Sequence, residues 1–117
     1  MTRATERRNR AHVRAGRLRL KTVALSDANF GDERFDRVLA VRVGGLARPP
    51  GDDLAVLRRH LAPHGVLGVF ADGPTPSSTA ASQRALRDNL RRQGFQVVEA
   101  ITRRVGASTV AGILATA

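Results

Sequence analysis

The sequence contains no cysteine, tyrosine or tryptophan, and Lys21 is its single lysine among 20 lysine and arginine residues. The absence of cysteine excludes a disulfide framework, a cysteine–zinc site and a thiol nucleophile. No apolar run approaches the ~18 residues that a transmembrane helix needs. The basic amino terminus is not followed by the apolar stretch of a secretory signal. We therefore expect a cytoplasmic protein without membrane contact.

Basic residues are in excess, and the formal net charge is +10. An arginine-rich arm can bind nucleic acid by neutralising phosphates. Only four phenylalanines are present, however, so the bases of a single-stranded nucleic acid would find few aromatic rings to stack on. A GC-rich genome also favours arginine and alanine codons, which is another explanation for the arginine content. Composition does not favour nucleic acid as the main partner, although an arginine-rich nucleic-acid binder stays an alternative. Residues 1–17 are predicted to form a basic helical arm that Gly16 ends.

The chain from residue 18 onward is predicted to form one α/β domain, residues 18–117. Alternation in Leu18–Leu25 favours a strand with one face in water. The apolar run within Phe35–Val43 favours a strand buried on both faces, as in a parallel sheet. A helix follows and stops before Pro63, and Gly65–Ala71 is predicted as the next buried strand. Strand, helix and strand with short links form a βαβ unit with parallel strands.

Capping residues predict where the two helices of this domain begin and end. Asp52 or Asp53 is predicted to cap the helix of the βαβ unit, and Ser77 or Ser78 the next one, because short polar side chains bond free backbone N–H groups. Gly94 stands where the second helix should end.

Two strands, Phe95–Thr102 and Thr109–Ala115, are joined by a link too short for a crossover, so they should pair as an antiparallel hairpin. The fold class is α/β: a partial Rossmann-like, doubly wound sheet, mostly parallel, with an antiparallel hairpin at the carboxyl end.

Three weaker motifs have ordinary explanations. His60 and His64 have the spacing of a helical metal pair, but Pro63 separates them and we expect no metal site. Gly44 and Gly45 follow a strand, yet two prolines delay the next helix, which does not suit a phosphate loop. A third group is an acidic turn whose carboxylates are expected to be caps and solvent contacts: Asp27, Asp32, Glu33 and Asp36.

Two segments carry a family resemblance. Phe35–Val38 reads Phe-Asp-Arg-Val, and Leu61–Leu67 reads Leu-Ala-Pro-His-Gly-Val-Leu. In their order and spacing they resemble the class I S-adenosylmethionine-dependent methyltransferases, which show an "FD-x-V" strand, a leucine-rich helix and "L-x-P-G-G-x-L". His64 stands where that pattern has its first glycine. The resemblance covers nearly the whole chain and implies methyl transfer to an unknown acceptor on a sheet of order 3-2-1-4-5-7-6.

The resemblance also implies where S-adenosylmethionine would lie. Ala24 and Leu25 would approach the adenine through backbone groups, and Val41 and Arg42 would border the methyl-transfer pocket. The family's glycine-rich turn and its ribose-binding acid have no counterpart in the sequence, and no catalytic residue is assigned. We therefore expect a truncated domain, or one with a misplaced start, that binds the cofactor weakly or not at all.

The implied strand order leads to an expectation about partner chains. Without the first two strands of that order, the Phe35–Val43 strand has an unpaired apolar edge, which invites pairing with another chain. Leu18–Leu25 could pair with it, a partner chain or a second copy could cover it, or the domain could be poorly stable. A non-catalytic interaction module is thus an alternative function. Ligands of open parallel sheets bind beyond the carboxyl ends of strands, which nominates the loops after Leu25, Val43 and Ala71.

Overall fold

A computed structural model describes residues 2–47, 51–73 and 75–117 of the protein. After a helical amino terminus, strands and helices alternate up to a closing hairpin. The order is α1 (Thr2–Arg8), α2 (Arg10–Arg14), β1 (Phe35–Val41), α3 (Asp52–His60), β2 (Leu61–Gly73), α4 (Pro76–Arg92), β3 (Gln96–Val105) and β4 (Ser108–Thr116). Two short 3₁₀ helices, Leu25–Asp27 and Gly44–Ala47, lie on either side of β1. No helix within these described ranges is both long and apolar enough to cross a membrane.

The four strands form one sheet in the order β1-β2-β4-β3. β1 and β2 are parallel and are connected through α3, which confirms the βαβ unit. β4 lies antiparallel between β2 and β3. The β3–β4 hairpin turns at Gly106 and Ala107, and Gly106 has a φ of +62°, which the first position of a type II′ turn requires. The predicted fold class, including the antiparallel hairpin, is confirmed.

One face of the sheet packs against the helices and forms the core. Leu54 of α3, Leu67 of β2, Leu90 of α4 and Ile113 of β4 are fully buried there. The alternation of β-strand side chains places every second residue on this face. The periodicity of the sequence thus positions both helices on the same side of the described sheet.

The opposite face is open. Ala40 of β1 pairs with Val69 on the core face, so its neighbours Leu39 and Val41 project to the other side. Their exposed fractions are 71% and 57%. The prediction that this strand is buried on both faces is therefore wrong, because the helices cover one face of the described sheet and leave the other open. Phe70 lies on this same open face. An added Cβ atom at Gly112 would overlap its ring, which shows that the ring covers this backbone.

Both helix caps differ from the prediction by one to three residues. Gly51, with a φ of +88°, is the N-cap of α3, and Asp52 and Asp53 instead supply negative charge to its first turn. Thr75 is the N-cap of α4, where its hydroxyl accepts a bond from the Ser78 backbone N–H at 3.1 Å. Ser78 closes a reciprocal capping box, so it serves as the third residue of the helix rather than as its cap.

The predicted strand Leu18–Leu25 is wrong. The segment is irregular up to the 3₁₀ helix and does not pair with β1, which remains an edge strand of the described sheet. It is held by polar contacts instead: Arg19 Nη2 donates to both oxygens of Glu33 at 2.6 and 2.7 Å. An alternating pattern forms a strand only where a neighbouring edge accepts its hydrogen bonds. Although β1 has a free edge in the described sheet, this segment forms no strand pairing with it.

The predicted helix near the amino terminus is confirmed, with a break at Asn9. Asn9 stays hydrogen-bonded on both sides, because its N–H donates to Thr5 and its carbonyl accepts from Val13. Gly16 ends the helical segment in the left-handed region, with a φ of +71°. That residues 1–17 are a separate unit stays a prediction.

Candidate functional site

The carboxyl ends of β1 and β2 are joined by an ion pair between Arg42 and Asp72. Arg42 Nε donates to Asp72 Oδ1 at 2.8 Å, and Nη2 donates to Oδ2 at 2.7 Å. This side-by-side geometry is the strong form of the arginine–carboxylate pair. The hydrogen bonds from Arg42 lower the pKa of the Asp72 carboxyl below its usual value.

Backbone geometry places Arg42 for this contact. Its N–H donates to the Phe70 carbonyl at 2.8 Å, and its φ of +57° is unusual for a residue other than glycine. The left-handed conformation ends β1 at Val41, so the predicted strand Phe35–Val43 is two residues too long. A non-glycine residue in this region is a position where local strain can serve a site.

A pocket of about 390 Å³ opens beside this ion pair, between α4 and the helix-covered face of the sheet. Its floor is apolar and includes Val69, Leu86 and Ile113. Its polar groups come from three elements and are Arg42, Asp72, Thr79, Ser82 and Gln83. An apolar floor with a few convergent polar groups is the usual form of a small-molecule site.

Two of these polar side chains are fixed by backbone carbonyls. Gln83 Nε2 donates to the carbonyls of Ile101 and Gly112, each at 3.1 Å, and so ties α4 to β3 and β4. Thr79 Oγ1 donates to the Thr75 carbonyl at 3.0 Å. Held in this way, the wall contributed by α4 is preformed and carries no ionisable group of its own.

Of the four residues nominated for the cofactor, Arg42 lines the pocket. Val41 precedes it but projects to the open face of the sheet. Ala24 is exposed, whereas Leu25 is half-buried and packs against the core next to α3. The assignment of these residues to S-adenosylmethionine stays a prediction.

Sequence reasoning missed part of the pocket. The nominated loops after Val43 and Ala71 do border it, and Asp72 could have been named from its place at the end of a buried strand. Ser82 and Gln83 carry no signal, since polar residues on a helix are usually in solvent. Only the packing of α4 on the sheet shows that they line the pocket.

The two histidines do not form a metal pair. His60 ends α3 and is 3% exposed, with Nδ1 3.3 Å from the Glu33 carbonyl and its ring against Phe30. His64 lies in β2 and is exposed. Within the described part of the chain no group of three or more histidine and acidic side chains could hold a metal ion.

The glycine pair after β1 does not start a helix. Gly44 and Gly45 open the 3₁₀ helix that ends at Ala47, and α3 begins only at Asp52. A phosphate loop needs its glycines directly at a helix amino terminus. The arrangement therefore gives no support to phosphate binding at this turn.

The described residues fit S-adenosylmethionine only in part. Its nucleoside end needs an apolar surface and backbone groups, which the segment around Leu25 has. Asp72, the acidic side chain of the pocket, is already paired with Arg42 and so offers no free negative charge to a sulfonium cation. No glycine-rich turn for the methionine end follows a strand other than β1 in the described ranges.

No protein-family model matches the sequence, and no curated protein matches it either. Solved structures do match the fold. A 16S rRNA (adenine(1408)-N(1))-methyltransferase mutant with cosubstrate SAM, from Catenulisporales acidiphilia, aligns at a TM-score of 0.67 and 21% identity over 97% of this chain and 69% of that one. An S-adenosylmethionine-dependent methyltransferase from Clostridium acetobutylicum aligns at 0.66 and 10% identity, over 97% and 70%.

A third match warns against equating fold with activity. The [4+2]-cyclase SpnF aligns at a TM-score of 0.73 and 15% identity, over 98% of this chain and 62% of that protein. The chain thus spans between 62% and 70% of the length of these three proteins. Its strand order β1-β2-β4-β3 corresponds to the final 4-5-7-6 of the order that the resemblance implies. The chain therefore has the fold of the class I S-adenosylmethionine-dependent methyltransferases, over the part that holds the last four strands of their sheet.

Proposed function

We propose that this chain is the acceptor side of an S-adenosylmethionine-dependent methyltransferase. The observation that carries the proposal is the sheet order, in which an antiparallel β4 is inserted between β2 and β3. In this role the pocket beside Arg42 and Asp72 receives the methyl acceptor. Methyl transfer needs orientation and exclusion of water more than a general base, and a preformed pocket supplies both. The acceptor itself stays unidentified.

Cofactor binding by residues 1–117 alone is expected to be weak. Ala24 and Leu25 would contact the adenine, and Val41 and Arg42 would border the transferred methyl group. These contacts cover the nucleoside and leave the methionine end in solvent. Contact energy becomes affinity only where it exceeds the free-energy cost of immobilising the ligand. A site with only part of the contacts should therefore bind with a dissociation constant in the millimolar range or weaker.

Amide chemical shifts test this proposal. A ¹⁵N-labelled sample is titrated with S-adenosylhomocysteine up to several millimolar. We expect shifts at the amides of Ala24, Leu25, Val41 and Arg42, and none at the hairpin turn at Gly106, which serves as the internal control. Shifts that are absent, or that spread equally to the hairpin, overturn the proposal.

A second function is favoured by the open face of the sheet. Leu39 and Val41 are large, apolar and mostly exposed, and they stand on β1, an edge strand of the described sheet. An exposed apolar edge of this kind marks a pairing surface. In this alternative the chain is a non-catalytic module that associates through β1.

Oligomeric state distinguishes this alternative. Sedimentation should show a defined dimer or larger species that the double variant L39K/V41K converts to monomer. The matched control is V98K/V105K, which introduces the same charge on the exposed side chains of Val98 and Val105 in β3. A monomeric parent protein at high concentration removes this alternative.

A further inference from the structure

The segment 1–21 carries most of the charge of the protein. It contains eight of the 20 lysine and arginine residues but only one of the 10 acidic residues, Glu6, so it accounts for +7 of the net +10. The remaining 96 residues are nearly balanced. Composition alone does not show whether these charges form a binding surface or an ordinary solvated surface. The positions of the arginines on the helices distinguish the two.

Four arginines of α1 and α2 lie on one side of the helical segment. Arg3, Arg7, Arg10 and Arg14 are spaced by four, three and four residues, which at 3.6 residues per turn keeps them within one narrow stripe. The same four side chains, with Glu6 and Val13, border a single surface concavity. The break at Asn9 lies between Arg7 and Arg10, but the backbone hydrogen bonds of Asn9 to Thr5 and Val13 continue the helical path across it. The stripe therefore extends about 16 Å, from 11 residues at 1.5 Å each.

The stripe has no partner within the described protein. The two ion pairs among the described residues are Arg19–Glu33 and Arg42–Asp72, and neither involves α1 or α2. None of the residues 3–14 is buried. The segment is therefore not held in place by the core, and its arginines are free for an external anion.

The chemistry of the stripe restricts that anion. The apolar residues of α1, α2 and the residue that follows them are Ala4, Ala11, Val13 and Ala15, too small a set for insertion into a bilayer or for a helix-in-groove contact. No phenylalanine, tyrosine or tryptophan lies in α1 or α2 to stack on unpaired bases. Guanidinium groups suit phosphate oxygens, which they bind in pairs of hydrogen bonds. The anion that fits is a regular array of phosphates.

We propose that the stripe of Arg3, Arg7, Arg10 and Arg14 binds the phosphate backbone of double-stranded nucleic acid without reading its sequence. A duplex presents one charge per ~1.7 Å of its axis, so the stripe faces on the order of ten phosphate charges. The proposal is independent of methyl transfer, because it concerns α1 and α2 alone.

Salt-dependent binding tests the proposal. The full chain is titrated into a fluorescently labelled DNA duplex of mixed sequence, and anisotropy gives the dissociation constant at several salt concentrations. Four phosphate contacts predict a slope of log K against log[salt] of about −3.6. Affinity should then fall about fifty-fold when salt is raised about threefold.

The test variant replaces the four stripe arginines with glutamine, and the control variant replaces Arg91, Arg92, Arg103 and Arg104, which are exposed elsewhere on the molecule. Both lose the same charge. We expect the slope to approach zero in the stripe variant and to stay near the parent value in the control. Equal losses in the two variants, or an unchanged slope in the stripe variant, overturn the proposal. So does tighter binding to vesicles of anionic phospholipid than to the duplex at the same salt concentration.

Discussion

Gly65 lies against the backbone of Phe35, and a Cβ atom added to Gly65 would stand 2.8 Å from the Phe35 carbonyl oxygen. Gly65 lies at the register shift near the start of the β1–β2 ladder, between the pairs Phe35–Leu61 and Arg37–Val66. The glycine that the methyltransferase pattern keeps in this chain therefore has a packing reason: a side chain at position 65 would separate the two parallel strands at their start. The glycine of the Leu61–Leu67 motif is thus needed for the close packing of β1 and β2 in the βαβ unit.

The substitution Gly65→Ala should destabilise the fold. The carbonyl oxygen it meets belongs to the backbone and cannot turn away, so we expect a loss of about 1–3 kcal/mol, typical of overpacking. Gly68→Ala is the matched control in the same strand. Its nearest contact is the Phe70 ring at 3.1 Å, and a ring can shift by the few tenths of an ångström required. Urea unfolding of both variants measures the difference, and equal losses would contradict the interpretation.

Asn89 of α4 joins the helix to the 3₁₀ helix after β1. It is 1% exposed, and its Nδ2 donates to the Leu46 carbonyl at 2.7 Å. Asn89→Ala leaves that buried carbonyl without its donor and should cost about 1–3 kcal/mol. Asp88→Asn, at the exposed neighbouring position, should have almost no effect on the same unfolding curve. A stability loss confined to the control would refute this account of Asn89.

His60 is a buried side chain whose Nε2 has no hydrogen-bond partner among the described residues. Leucine at position 60 removes this unpaired nitrogen while keeping most of the volume. It also removes the 3.3 Å contact of Nδ1 with the Glu33 carbonyl, but Glu33 is an exposed residue whose carbonyl water can reach, so His60→Leu should be neutral or stabilising. His60→Ala also removes the unpaired nitrogen, but it opens a cavity. Its free energy of unfolding should therefore fall by at least about 1 kcal/mol. Thermal or denaturant unfolding at neutral pH ranks the three proteins. If both variants are equally destabilised, the nitrogen has a partner that this account lacks.

The pair of Arg42 and Asp72 predicts a pH response. Hydrogen bonds from Arg42 lower the pKa of Asp72 in the folded state, so its contribution to stability is complete above the ordinary aspartate pKa and is lost as the pH falls through the lowered value. Carboxyl ¹³C titration should therefore place the midpoint of Asp72 below that of an aspartate in a peptide. Arg42→Gln should move this midpoint upward. An unchanged midpoint in the variant would show that another group lowers it.

The sequence was sufficient for the elements that are set by local pattern and buried face. The run from Phe35 to Val41, the helix from Asp52 and the strand through Ala71 were predictable because continuous apolar runs and helical spacing are independent of the rest of the chain. The antiparallel hairpin followed from the short link around Gly106. These elements also fix the strand order on which the comparison with methyltransferases depends.

The wrong predictions concern elements whose structure depends on contacts with other parts of the chain. Leu18–Leu25 has the alternation of a strand, but alternation does not determine whether the segment pairs with a free edge such as that of β1. Gly51 and Thr75 became caps because the backbone turns at them, not because their side chains are the best cap formers nearby. Gln83 entered the pocket wall only through the packing of α4 on the sheet.

The central claim, that residues 1–117 have the acceptor-side fold of a methyltransferase and only part of its cofactor site, is tested most directly by calorimetry. Purified protein is titrated with S-adenosylmethionine at neutral pH, after its folded state has been verified by circular dichroism. We predict no saturable binding heat in the micromolar range. Saturable binding with a micromolar dissociation constant would contradict the account, because it would require a complete cofactor site within this chain.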